Sequence, residues 1–135
     1  MSTSVLQPRV LIFRKSPKYP DVRFVHFTVP LRIVQTGVLV PVKKIIGRPV
    51  GGYEDNIKRN ELNELILKHY GGKEHVFDLA KLESTGENGK RTFFEANGRH
   101  YYALAPAYTD DGGHLNRVGR RFIAEQLLVF LANLE

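Results

Sequence analysis

The chain of 135 residues contains no cysteine, which excludes disulfides, thiolate metal sites and a cysteine nucleophile. It is also short of long apolar runs. The longest near its start is VLIF at 10–13, bracketed by Arg9 and Arg14, too short for a signal-peptide core or a membrane span. If the chain is complete as given, a soluble, cytoplasmic protein is expected. No RNP, KH or zinc-finger pattern is present, and the basic residues fall in short groups such as RKSPK at 14–18, VKK at 42–44 and GRR at 119–121. A net charge of +6 and a pI near 9.7 permit an acidic ligand, but scattered groups fit a solvated surface better than a nucleic-acid footprint. His69, His75 and His100 have neither HxxxH nor HxH spacing, so no metal site is expected. Repeats, low-complexity tracts and linkers are missing too, which leaves one domain, 1–135.

What is present points to an α/β fold. VRFVHFTV at 22–29 is β-branched or aromatic at almost every position, between YPD and Pro30, and is expected to be a strand buried on both faces. His26 within it is expected to be a hydrogen-bonded core or pocket histidine. The preceding PRVLIFRK fits either a strand or the last turns of a helix. From Leu31 to Tyr53 prolines and glycines among apolar residues suggest a long ordered excursion over the surface. Asp55 is then expected to cap a helix whose inner face carries Ile57, Leu62, Leu65, Ile66 and His69, stopped by Gly71 and Gly72. HVFDLA at 75–80 is the next expected strand. Asn97 and Gly98 suit a type I′ turn, so RTFFEA and RHYYAL should form an inserted antiparallel hairpin. Beyond it, Leu115, Val118, Phe122, Ile123, Leu127, Phe130, Leu131 and Leu134 recur at helical spacing and predict a C-terminal amphipathic helix.

Immediately before that helix stands TDDGGHLNRVG, 109–119. Asn116 has the side chain of an N-cap, which leaves His114 two residues outside the helix and held by the loop. Gly112 and Gly113 allow a turn tight enough for Asp111 to reach back to the imidazole. A carboxylate on Nδ1 would fix the tautomer and free Nε2 to take a proton from a nucleophile. The alternative is structural: Asp110 or Asp111 forms an Asx turn and His114 packs beside the helix entrance. Tyr101, Tyr102 and Tyr108 lead into the motif and are expected to pack the hairpin onto the domain. Arg117, Arg120 and Arg121 oppose the helix dipole and are expected on solvated surface.

The run from FDLAKLES through AYTDDGGHLNRVGRRFIAEQLLVFLANL resembles the carboxy-terminal part of the SGNH, or GDSL-type, hydrolases, in which a DxxH motif precedes the last helix. YPDVRFVHFTVPL looks like the family's late central strand, and EDNIKRNELNELILKHYGG like the helix that follows it. The resemblance spans roughly 19–134, with DGGHLN its most specific block. It implies part of a three-layer, flavodoxin-like sheet, with Asp111 as orienting carboxylate and His114 as general base of a Ser-His-Asp triad. It also implies hydrolysis of a small ester or acyl substrate through an acyl-serine, with no metal or organic cofactor.

The family's GDS serine, and the glycine and asparagine of its oxyanion hole, have no counterpart here. Ser2, Ser4, Ser16 and Ser84 stand in the contexts MST, TSV, KSP and EST, none of which is a glycine-flanked strand-to-helix turn. Asn56, Asn60 and Asn63 lie on the later helix and take no oxyanion role. The isolated chain is therefore expected to be inactive. With half a doubly wound sheet missing, the strand at 22–29 should have an unpaired edge, and association with a second copy or a complementary chain is expected. The competing expectation is a non-catalytic, basic α/β interaction module that keeps DxxH as a helix entrance.

Overall fold

A computed structural model describes residues 18, 20–35 and 39–134. PRVLIFRK, Ser2, Ser4 and Ser16 lie outside the described residues, so the expectations that concern them stand where the sequence left them. The architecture is mixed α/β, with two small sheets and four α-helices among those residues.

Strand β1 is Val25–Phe27 and β2 is His75–Phe77, paired parallel with Val25 opposite His75 and Phe27 opposite Phe77. Between them run helices α1, Leu39–Ile45, and α2, Tyr53–Tyr70. Side chains alternate across a strand. His26 accordingly stacks on Tyr70 of α2, its ring 3.7 Å away, while Phe77 on the other face meets Phe130 at 5.3 Å. Phe130 belongs to α4, Arg117–Ala132, so the two long helices cover opposite faces of the sheet. His26 is also bonded to Glu74 at 2.7 Å, as expected of a pocket histidine.

The strand expected over 22–29 is much shorter and is not buried on both faces. Val22, Phe24 and Phe27 are 44, 42 and 44% exposed. Among the described residues, β1 pairs with β2 alone, so its other edge is unpaired there. The excursion from Leu31 also differs from expectation, because α1 lies within it. The run HVFDLA is a strand only to Phe77, since Asp78 accepts a hydrogen bond from the Lys81 amide at 3.2 Å and starts α3, Leu79–Ser84.

Helix α2 departs most from the sequence expectation. Its N-cap is Gly52 and not Asp55. Gly52 has φ +76°, and a Cβ there would lie 2.1 Å from the Ile33 carbonyl oxygen, so close passage of 31–35 requires a glycine. The inner face is asparagine, not leucine: Asn56, Asn60 and Asn63 are buried, while Leu62 and Leu65 are 46 and 63% exposed. Each asparagine pairs with both backbone groups of one extended residue. Asn56 accepts from the Arg32 amide at 2.9 Å and donates to its carbonyl at 2.5 Å. Asn63 does the same to Val29, at 2.6 and 3.0 Å, and Asn60 to Tyr102, at 2.9 and 2.9 Å. A carboxamide offers one acceptor and two donors, so it can replace a neighbouring strand. Extended segments that would otherwise have orphaned buried amides are thereby satisfied.

The hairpin forms as expected, with β3 at Phe93–Ala96, β4 at Arg99–Tyr102, and Asn97 and Gly98 at φ 52° and 70°. Tyr102 is held by Asn60 and Tyr101 is buried, so the hairpin packs on α2. One core cluster joins Leu31, Ala80, Leu104, Ala105 and Tyr108, with Tyr102, Leu115 and Phe122 against it. A smaller one joins Val34, Val50 and Ala103. Inside the first, Glu83 is 3% exposed and accepts from the Leu31 amide at 2.9 Å. Burial pushes its carboxyl above the usual range, against the lowering effects of that amide and of Arg59.

Candidate active site at the Asp111–His114 loop

The loop is closed at its base. Asn116 donates its backbone N–H to the Tyr108 carbonyl at 2.8 Å, and Thr109 and Leu115 form an antiparallel bridge. Asn116 then caps α4 as expected, its Oδ1 accepting from the Gly119 amide at 3.0 Å. Gly119 is glycine for a reason that its helical spacing hides: a Cβ there would lie 2.8 Å from the Tyr108 carbonyl oxygen. The helix entrance and the start of the loop therefore pack backbone to backbone.

The loop's two glycines have separate tasks. Gly112 has φ +83°, and its carbonyl accepts from the Ile33 amide at 2.9 Å, so close that a Cβ would sit 2.5 Å from Ile33 Cγ2. At Gly113 a Cβ would come within 3.4 Å of the Arg32 guanidinium. Gly112 ties the loop to the segment after β1, and Gly113 leaves room for an arginine beside it.

Asp111 and His114 are brought together as the sequence predicts. His114 Nδ1 lies 2.7 Å from Asp111 Oδ2, while Asp111 Oδ1 accepts from the amides of Gly113 and His114, each at 2.8 Å. An imidazole-orienting bond and an Asx-turn geometry thus coexist on one carboxylate, one oxygen for each. The backbone amides of His114 and Gly113, and then the imidazole, hold the Asp111 carboxyl far below the usual carboxylate range. An ionised carboxylate has no proton to give, so the hydrogen between the two groups is on Nδ1. In the neutral ring Nε2 then carries the lone pair. The imidazole is 91% exposed, and Nε2 has no hydrogen-bond partner among the described residues.

Asp110 takes a different part, accepting from Asn116 Nδ2 at 3.2 Å. Of the four serines, Ser84 alone is described, and it is no nucleophile. It is fully buried, donates to the Ala80 carbonyl at 2.7 Å and accepts from Arg91 Nε at 2.9 Å. Asn56, Asn60 and Asn63 are committed to backbone groups and present no oxyanion donor. His69 stands edge-on to Tyr70, and His100 is bonded to Glu95. Among the described residues no three His, Cys, Asp or Glu side chains converge to hold a metal. Arg121 is spent on Glu125 at 2.8 Å.

Sequence reasoning missed a cleft of about 310 Å³ lined by Pro30, Leu31, Arg32, Arg59, Gly113 and His114. It lies where the chain leaves the carboxyl end of β1, the end at which α/β sheets place their ligands. Arg32 follows the strand and Arg59 sits on α2, 27 positions later, so no local spacing signals their convergence on His114. No helix here is long and apolar enough to cross a membrane, among the described residues. The chain matches no protein-family model, no curated protein and no solved structure.

Proposed function

We propose that this chain is the Asp-His-bearing part of an SGNH-type serine hydrolase, acting on a small ester or acyl substrate and inactive by itself. The observation that carries it is the Asp111–His114 pair. An ionised carboxylate fixes Nδ1–H, a two-glycine loop holds the ring outside the helix, and Nε2 is left open at the carboxyl end of β1. A parallel pair of strands with long helices on opposite faces supports a three-layer, flavodoxin-like arrangement. His114 is the general base, Asp111 its orienting residue. The nucleophile and the oxyanion donors come from outside the described residues, supplied by a complementary chain. Without them a base has no hydroxyl to deprotonate, and each missing oxyanion donor costs about two to three powers of ten in rate.

The test uses the protein recovered natively from its source cells beside the purified chain, each also as His114→Ala. Both are treated with a fluorophosphonate and weighed intact. The expected result is no adduct on the purified chain, a serine adduct in the native complex, and loss of that adduct and of aryl-ester hydrolysis in His114→Ala. A native complex that neither labels nor hydrolyses any short-chain ester would overturn the proposal. It would leave the basic interaction module, whose support is the pair of amide bonds that Asp111 makes irrespective of chemistry.

A further inference from the structure

We infer that the cleft beside His114 is an anion subsite, built by Arg32 and Arg59 to hold a carboxylate or phosphate group. The inference deepens the proposed function and rests on it in one respect: the ester presented to His114 would then itself be anionic. Six residues line the cleft, and none of them is acidic. Arg59 is fixed by one bond, Nη1 donating to the Pro30 carbonyl at 2.7 Å, which leaves its other donors uncommitted to any carboxylate. Arg32 has one acidic neighbour, Asp55, at 3.7 Å, too long for a hydrogen bond and half exposed on both sides. Its guanidinium instead lies against Gly113, the residue before the imidazole.

The nearby carboxylates are held by other partners, although Glu83 feels the charge of Arg59. Asp111 is engaged by two amides and the imidazole, and Glu83 is turned into the core on the Leu31 amide. Planar guanidinium forks match oxyanions with paired N–H donors. Two of them beside a ring whose free nitrogen faces solvent would fix one end of a substrate while the ester lies at Nε2.

Amide and arginine-Nε NMR spectra of the full chain, titrated with inorganic phosphate and separately with acetate at constant low chloride, test this without requiring turnover. Saturable shifts centred on Leu31, Arg32 and Gly113 are expected. Arg32→Gln and Arg59→Gln should each weaken binding by about tenfold, with Arg121→Gln unchanged. Phosphate binding more tightly than acetate assigns the subsite to phosphate, and the reverse order assigns it to a carboxylate. Shifts that grow linearly, or an affinity that survives the Arg32→Gln change, overturn the inference. Because Arg59 also tethers Pro30, Arg32→Gln decides the matter if Arg59→Gln loses spectral dispersion. If anions bind but the native complex never labels, the subsite stands and the hydrolase proposal fails.

Discussion

The two oxygens of Asp111 divide the labour of the site: Oδ1 organises the turn, Oδ2 orients the imidazole. Substitution can separate them. Asparagine keeps an acceptor for the two amides but brings no charge to His114, whereas alanine removes both. Asp111→Asn should therefore lower the urea midpoint modestly at neutral pH and reduce hydrolysis by the native complex, while Asp111→Ala should lower the midpoint further. The pH dependence has a definite sign. A carboxyl whose folded pKa lies below its unfolded value stabilises the fold fully above the ordinary range, and that contribution disappears as pH falls through the folded value. The stability advantage of the parent over Asp111→Asn should then be flat at neutral pH and shrink from about pH 4 downward, read from urea midpoints. This pair was legible in the sequence because its members are three residues apart on glycines. Arg32 and Arg59 were not, because only the fold brings them to His114.

Elements whose signal is local formed where the residues indicated. An Asn-Gly pair with positive φ at both positions makes the hairpin, and Asn116 caps α4. Helix α2 shows why the others were misread. Apolar periodicity locates an inner face only when that face packs on side chains, and here it packs on backbone, so its buried residues are amides. Asn56→Ala tests this: it strips the partners from the buried Arg32 N–H and C=O and should cost about 2–4 kcal/mol by urea unfolding. Leu65→Ala, on the same helix but 63% exposed, should cost much less. Equal losses would mean that the leucine face is the packed one. The strand at 22–29 was overread for the converse reason: unbroken apolar character reports what a strand would bury in a complete sheet.

At the scale of the whole molecule the edge of β1 left unpaired among the described residues and the exposed Val22 and Phe27 call for a covering surface, as do Leu128 and Val129 on α4 at 67 and 59% exposure. Sedimentation velocity should show concentration-dependent association of the purified chain, with binding of an apolar dye that declines as the assembly forms. A monodisperse monomer at high micromolar concentration that binds no dye would refute this. What such an assembly cannot alter is the spacing between α2 and the strand exit. Val29 and Arg32 are three residues apart, and their partners Asn63 and Asn56 are seven apart. Three extended residues cover about 10 Å and seven helical residues about 10.5 Å, so the two run antiparallel with matching pitch, like a rack on its pinion. Sliding the strand exit by one tooth, about 3.3 Å, would need a shift of about two helical residues, which turns the asparagines to the far side of α2. Insertions and deletions are thus confined to the connections around α1, while one residue gained or lost between 29 and 32 would carry Arg32 out of the cleft.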